Sequence, residues 1–182
     1  MQSGQQACMG SLLNRACTGS FEGAGRPLAK SYTDGTPAVG FVYDGERLKD
    51  IVNSNATVSY GFDSLDRVTS RTQTMGTPVY SHSATYKAAG LETETYHSGR
   101  VVTYNRDGVG RVTGISGTKN GTPYNYLTSA SYAAHGAASA LTFGDGLTES
   151  WGWNYRLQPV SVARGAGFSL SYGYCGVGVT VC

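Results

Sequence analysis

The chain has 182 residues, enough for one good-sized domain, and only 14% of them are charged, a smaller share than soluble domains usually carry. The net charge of +2 is scattered along the sequence, so no basic patch predicts nucleic-acid binding. No apolar run is long enough to span a membrane, and the first ten residues lack the basic and apolar regions of a signal peptide.

The first predicted element is an irregular N-terminal segment over residues 1–20, which carries no strand pattern. It contains Cys8 and Cys17, and a second pair, Cys175 and Cys182, lies at the other end of the chain. Each pair could close a local disulfide in an oxidising compartment or remain as free thiols, and the sequence leaves both open. The spacing within each pair is too wide for a zinc knuckle, so we expect no metal there.

The body of the chain is predicted to be a repeat array over residues 21–172. The tripeptide Gly-Thr-Pro occurs three times, beginning at Gly35, Gly76 and Gly121, so the steps are 76 − 35 = 41 and 121 − 76 = 45 residues. The 26 glycines and 13 tyrosines are typical of short strands joined by tight turns. A period of about 43 residues indicates a repeat architecture whose units bury a shared face by stacking.

Each period divides into two halves that predict one β-hairpin each. A half reads aromatic residue, Asp or Asn, a few small residues, then Arg and an aliphatic residue. Asp or Asn opens a turn by accepting hydrogen bonds from nearby backbone N–H groups, and Gly takes left-handed positions. Arg and the aliphatic residue then start the return strand, and we expect the arginines to stack on the aromatic rings and pair with the turn carboxylates. The residues to which we assign this structural role are Phe21, Arg26, Tyr43, Asp44, Arg47, Phe62, Asp63, Arg67, Tyr86, Tyr104, Arg111, Tyr132, Trp153 and Arg156.

The last ten residues, 173–182, do not continue the repeat and predict an irregular tail. Across the chain, His82, His97 and His135 lie at different repeat positions and share no motif. Neither a nucleophile elbow nor a phosphate-binding loop is present. We therefore predict no catalytic residue, no cofactor site and no metal site, and expect that the chain is not an enzyme.

The half-unit resembles the YD repeat of the RHS family, whose signature is Tyr-Asp, a short gap, Gly-Arg and an aliphatic residue. The copies that begin at Tyr43 and Phe62 carry the resemblance most clearly, and it covers about Phe21 to Val162. The resemblance implies an all-β fold in which repeated antiparallel hairpins form a curved, spiralling β-strip. The alternative fold is a set of β-propeller-like blades, because four strands in about 43 residues also describe a blade.

The resemblance also implies a function. In secreted bacterial toxins the strip forms a shell around a variable toxin domain, and in animal teneurins it is part of an adhesion receptor. We therefore expect a structural, non-catalytic segment of a secreted or cell-surface RHS-type protein, whose partners are the rest of the shell and its cargo. None of the five prolines follows Asp, so the self-cleavage motif of the toxin shells is not carried over. Four periods would make only part of a shell, which predicts a fragment. The alternative function is a carbohydrate- or cell-surface-binding repeat module.

Overall fold

The computed structural model describes residues 17–174, and all regular structure in that range is β-strand. The strands are β1 Cys17–Phe21, β2 Pro27–Tyr32, β3 Val39–Asp44, β4 Arg47–Val52, β5 Thr57–Phe62, β6 Val68–Thr74, β7 Val79–Lys87, β8 Gly90–Tyr96, β9 Val101–Arg106, β10 Val112–Lys119, β11 Thr122–Tyr132, β12 Ala138–Phe143, β13 Thr148–Trp153, β14 Pro159–Arg164 and β15 Phe168–Ser171. The all-β prediction is therefore confirmed. No helix in the described range is long and apolar enough to cross a membrane.

The strands follow one another in the sheet in chain order, and each assigned pairing is antiparallel. The chain divides into two compact units, of which the first ends at Ala84 and the second begins at Thr85. Seven successive strands, β1 to β7, pair without a break, and the paired residues of β7, Val79–Ser83, lie in the first unit. The alternative of propeller-like blades is wrong, because a blade would close its pairing after four strands.

The two faces of the first unit carry different side chains. Ser59 pairs with Thr72, and Thr72 pairs with Ser81, so these hydroxyl residues share one face. Phe41, Ile51 and Val58 form a cross-strand row on the opposite face. The separation follows from the two-residue period of a strand, which sends successive side chains to opposite faces.

The second unit shows the same division between small and large side chains. Ser150, Ala163 and Ser169 form one cross-strand row. Trp151, Val162 and Leu170, each one residue along, form a row on the other face. A row of large side chains next to a row of small ones again reflects the two-residue period of a strand.

Little of this surface is buried. Among residues 17–174, the fully buried apolar side chains are Ala84, Val102 and Leu127. Most other large apolar side chains are half-buried or exposed, which is what a single sheet without a covering layer produces. Cross-strand pairs and turn contacts, rather than a closed core, therefore carry much of the described structure.

The structure differs from the sequence prediction at the start of the array. Residues 17–20 were assigned to the irregular segment, but they belong to β1, which pairs with β2 from Cys17 onward. Sequence pattern alone missed this strand because Cys17-Thr18-Gly19-Ser20 offers no apolar alternation. Cys8, Cys175 and Cys182 lie outside the described residues, and the side chain of Cys17 is not described, so both disulfide questions remain predictions.

Candidate functional site

Seven hairpin turns between residues 17 and 174 share one five-residue geometry. In each, the N–H of the first residue donates to the C=O of the fifth, and the N–H of the fourth donates to the C=O of the first, at 2.8–3.1 Å. The fourth residue has a left-handed backbone in all seven, with φ between 62° and 91°. The turns are residues 22–26, 63–67, 96–100, 107–111, 133–137, 143–147 and 154–158.

An acidic residue in the first position of such a turn pairs with arginine in the fifth. Asp63 Oδ2 accepts a hydrogen bond from Arg67 Nε at 2.7 Å, and its Oδ1 accepts from the N–H groups of Leu65 and Arg67 at 2.9 and 3.0 Å. Asp107 and Arg111 repeat this arrangement at 2.8 Å. The carboxylate thus closes the turn with both oxygens, while the arginine is held at the start of the return strand.

These contacts lower the pKa of the turn carboxylates. Partial burial alone would raise the pKa of Asp63, but hydrogen bonds from Arg67 and from the Leu65 N–H outweigh it and bring the pKa below its ordinary value. The pKa of Asp107 is lowered in the same way, against the effect of burial, by Arg111 and the Val109 N–H. In the first turn, the ion pair with Arg26 lowers the pKa of Glu22.

Several turn arginines also lie against an aromatic ring of the following hairpin. The distances from guanidinium carbon to ring centroid are 4.6 Å for Arg26 and Tyr43, 5.5 Å for Arg47 and Phe62, and 4.8 Å for Arg111 and Tyr132. Such stacking attracts the cation to the ring face. The predicted stacking of arginine on aromatic rings therefore joins successive hairpins rather than residues of one hairpin.

The aromatic residue then donates a hydrogen bond back to the preceding hairpin. Each acceptor is the carbonyl of the residue that directly follows a five-residue turn. The bonds are Tyr43 Oη to Pro27 at 3.0 Å, Tyr132 Oη to Val112 at 2.6 Å, Trp153 Nε1 to Ala138 at 3.1 Å and Tyr174 Oη to Pro159 at 2.7 Å. We call the combination of turn arginine, aromatic residue and carbonyl an inter-hairpin link; Arg26–Tyr43–Pro27 and Arg111–Tyr132–Val112 are its complete copies in the described residues.

Two of the residues to which the repeat pattern assigns a structural role, Arg156 and Tyr104, do not occupy the expected places in the turns. Arg156 is the third residue of its turn, and Gln158 fills the fifth position, where its Oε1 accepts a bond from Asn154 Nδ2 at 3.0 Å. The separation of four residues between Asn154 and Gln158, equal to that between turn carboxylates and arginines, is the sequence signal for this pair. Tyr104 lies three residues before turn 107–111 instead of directly before it.

Other residues to which the repeat pattern assigns a structural role adjoin turns of two residues or lack part of the inter-hairpin link. Tyr43 and Asp44 precede a turn of only two residues, and Arg47 contacts Asp44 at 3.3 Å and Asp66 of the next hairpin at 3.0 Å. Tyr86 likewise lies just before a two-residue turn, between β7 and β8. Phe21 directly precedes the first five-residue turn and is half-buried.

No arrangement suited to catalysis or metal binding stands out in the described residues. Within residues 17–174, no three His, Cys, Asp or Glu side chains lie close enough to share a metal ion. A shallow cleft of about 280 Å³ in the second unit is lined by residues of β7, β8 and β9, including Lys87, Tyr104 and Arg106. Lys87 is ion-paired with Glu92 there, and Arg106 donates to the carbonyl oxygen of Gly110 at 2.8 Å, so both cations have protein partners.

Comparison with known proteins gives matches at the level of structure. Neither a protein-family model nor a curated protein sequence matches the chain. A crystal structure of TcdB2-TccC3 superposes with a TM-score of 0.76 at 15% identity, covering 90% of this chain and 10% of that one. The Photorhabdus luminescens Tc holotoxin pore, with a mutated TccC3, gives a TM-score of 0.72 at 16% identity and covers 88% of this chain and 10% of that one.

A third structure, of TcdB2-TccC3-Cdc42, gives a TM-score of 0.70 at 14% identity and covers 82% of this chain and 9% of that one. The chain therefore spans about a tenth of the length of the solved chains that it matches. Likeness at these identities establishes the fold. The shell of these Tc toxin structures is built of RHS/YD repeats. The resemblance seen in the sequence is thus confirmed at the level of structure, and this chain has the fold of an RHS/YD-repeat β-strip.

Proposed function

We propose that the chain is a non-catalytic wall segment of a secreted or cell-surface RHS-type protein, whose strip encloses a cargo or toxin domain. The observation that carries this proposal is the fold of the chain. The fold is a succession of linked hairpins and is similar to the shell-forming part of Tc toxin structures. The partners of such a segment are the neighbouring turns of the shell and the enclosed cargo.

The contacts of the charged side chains in the turns support a structural role. The charged residues of the five-residue turns bind backbone groups and each other, as Asp63 and Arg67 do. Arg26 is paired with Glu22, stacked on Tyr43, and bonded to the carbonyl oxygen of Gly45 at 2.8 Å. Side chains committed in this way hold hairpins together and are poorly placed to act on a substrate.

The weak burial of each unit supports a wall segment in the same way. Fully buried apolar side chains are few among the described residues, and all four residues of β15 are exposed. An exposed strand with Phe168 and Leu170 is a site for pairing with further strands. Further turns of a shell would cover such edges and add the contacts that a single sheet lacks.

The alternative function, a carbohydrate- or cell-surface-binding module, would need a group of exposed aromatic rings. The aromatic residues of the inter-hairpin links do not supply one, because Tyr43 and Tyr132 are half-buried beneath arginines. In the second unit, Arg100 likewise lies over the rings of Tyr124 and Tyr126, at 5.0 and 5.8 Å from their centroids.

Cryo-electron microscopy of the complete gene product, with whatever sequence flanks these 182 residues, tests the wall-segment proposal. We expect a hollow particle whose wall contains this β-strip and whose interior contains density. A discrete domain outside any shell, or a particle with no enclosed volume, would contradict the proposal.

Protease protection of the cargo offers a functional version of the same test. Combining Arg111→Ala with Tyr132→Ala removes one complete inter-hairpin link, so the wall should open and the cargo should become sensitive to added protease. The control is Tyr155→Ala, which removes a side chain that is 87% exposed and should leave the cargo protected. Equal protection in both variants would count against the proposed role of the wall.

A further inference from the structure

The hairpin of β11 and β12 is joined to the hairpin of β13 and β14 by a link without arginine. Trp153 Nε1 donates to the carbonyl oxygen of Ala138 at 3.1 Å, as the aromatic residue of an inter-hairpin link does. The turn that precedes Ala138 has alanine, Ala133 and Ala137, at its first and fifth positions. Because the fifth position holds the arginine in the complete links, the cation of this link has to come from another residue.

His135 lies close to the ring that the arginine would cover. It is the third residue of turn 133–137, is exposed to solvent, and has its ring centroid 4.9 Å from that of Trp153. The guanidinium carbons of Arg26 and Arg111 lie 4.6 and 4.8 Å from the centroids of their own partners. The histidine is therefore about as close to its aromatic partner as the arginines of the complete links are to theirs.

The two rings of this contact meet edge to face, since their planes differ by 77°. The face of an aromatic ring is negative and its edge is positive. In the complete link at Tyr132, the edge of the ring carries the hydroxyl that bonds to Val112, and the face receives Arg111. Trp153 likewise uses the N–H on its edge for a carbonyl oxygen, which leaves its face for a cation.

The other charged groups of the elements around turn 133–137 have different partners or lie further along the strands. These groups are Asp107, Arg111, Glu149, Arg156 and Arg164. Asp107 and Arg111 are paired with each other, and Arg156 lies over the ring of Tyr155 at 5.4 Å. Glu149 and Arg164 are opposite each other at the far end of β13 from Trp153. Turn 133–137 itself contributes His135 among alanines and a glycine, so the tryptophan ring is the partner that the imidazole contacts.

We propose that His135 and Trp153 form a pH-dependent inter-hairpin link, in which the edge of the imidazole lies over the tryptophan face. Histidine is the side chain that ordinarily gains its charge between pH 8 and 5. The tryptophan face attracts a protonated imidazole more strongly than a neutral one. The link therefore strengthens as the pH falls through this range, while the links of Arg26 and Arg111 keep their charge throughout. Acid tightens one join of the strip and leaves the others unchanged, and this inference does not depend on the wall-segment proposal.

Tryptophan fluorescence of the full chain tests the contact. The chain has two tryptophans, so Trp151→Phe leaves Trp153 as the reporter. A protonated imidazole in contact with an indole ring quenches its emission, and we therefore expect emission to fall as the pH is lowered from 8 to 5. His135→Gln in the same background should remove this loss, whereas His97→Gln, which changes a residue of turn 96–100, should retain it. Equal curves with and without His135 would overturn the proposal.

Thermal unfolding of the chain with both tryptophans present tests whether the contact stabilises the fold. Between pH 8 and 5, the melting temperature of the wild type should rise by roughly 1–4 °C relative to that of His135→Gln, the range for one exposed cation–π contact in a chain of this size. His135→Arg supplies a permanent cation and should exceed His135→Gln by a similar amount at both pH values. A wild-type melting temperature that stays constant or falls relative to His135→Gln on acidification would overturn the proposal, because the charged imidazole would then gain nothing from the tryptophan face.

Discussion

At the scale of single residues, the five-residue turn does not require an ion pair between its first and fifth side chains, since Ala133 and Ala137 close a turn of the same backbone geometry. Asp63 and Arg67 close one turn with an ion pair, whereas Asn154 and Gln158 close another with a neutral hydrogen bond. In both, the oxygen of the first side chain also accepts backbone N–H groups two and four residues on. Partly exposed ion pairs are weak on their own, and the two backbone–backbone hydrogen bonds are what all seven turns share, so these bonds account for the recurrence of the geometry.

Removal of one link hydroxyl measures the contribution of the link. Tyr132→Phe deletes the hydrogen bond to the Val112 carbonyl but keeps the ring under Arg111. We expect the free energy of unfolding to fall by about 1 kcal/mol, the usual net value of such a bond. Denaturant unfolding followed by circular dichroism gives the value, and Tyr155→Phe, on an exposed ring, is the control. An unchanged Tyr132→Phe variant would mean that the link does not stabilise the fold.

Acid should weaken the turns through their carboxylates. Since the folded pKa values of Asp63 and Asp107 lie below the ordinary value, their stabilisation is complete above the unfolded pKa of about 4 and is lost as the pH falls through the folded pKa. Combining Asp63→Asn with Asp107→Asn should flatten the decline in melting temperature below pH 4.

The matched control for the acid experiment is Glu46→Gln, which removes a carboxylate from an exposed two-residue turn. We expect its melting temperature to decline with pH as that of the wild type does. If the double variant also followed the wild-type curve, the lowered pKa values of the two turn carboxylates would be contradicted.

At the scale of elements, the left-handed fourth position defines the five-residue turn. Glycine occupies it in five of the seven turns, while Asp66 and Leu157 occupy it in the other two with φ of 62° and 63°. A residue with a Cβ is disfavoured in this conformation. The recurrence of glycine is therefore a backbone requirement and not a matter of packing.

Two glycines in one turn allow a controlled test. Gly110 has a φ of +88°, whereas Gly108 lies outside the left-handed region with open space where a Cβ would be. Gly110→Ala should destabilise the chain by about 1 kcal/mol because of the left-handed backbone, and Gly108→Ala should be neutral or slightly stabilising. Comparison of the two melting temperatures gives the result, and equal values would contradict the turn assignment.

The sequence predicted the hairpins well but not the position of every residue in them. The repeat pattern places an aromatic residue directly before each turn, but Tyr104 lies two residues earlier in β9, while turn 107–111 has the usual length. A side chain displaced by two residues still points to the same face of its strand. The spacing of residues in the sequence therefore does not reveal the displacement. The fourth position of turn 154–158 is also hidden in the sequence, because Leu157 stands where five of the seven turns have glycine.

The stacking of Tyr124 and Tyr126 beside Arg100 could not be predicted from the sequence. Its geometry depends on the register shift between Ile115 and Ser116 opposite β11 and on the ring of Tyr126 lying over Gly117. Neither follows from residue spacing within one hairpin. Arg100 occupies the fifth position of a five-residue turn, but only the fold shows that its partners, Tyr124 and Tyr126, lie in β11.

At the scale of the whole molecule, neither of the two units shows a closed core among the described residues. Rows of small side chains, such as Ser150 and Ala163, alternate with rows of large ones, such as Trp151 and Val162, and the fully buried apolar residues of the described chain are Ala84, Val102 and Leu127. The last described strand, β15, exposes Phe168 and Leu170. Such a sheet is stabilised when further strands or layers cover its open surfaces.

Size-exclusion chromatography with light scattering, read together with far-UV circular dichroism on the isolated chain, tests the claim that this sheet is built to be part of a larger wall. We predict a β-sheet spectrum and a molar mass that rises with concentration above the 19.1 kDa of one chain, because exposed strands and apolar side chains associate. A β-rich monomer of constant mass with cooperative unfolding would contradict the claim, since the chain would then be a self-sufficient module.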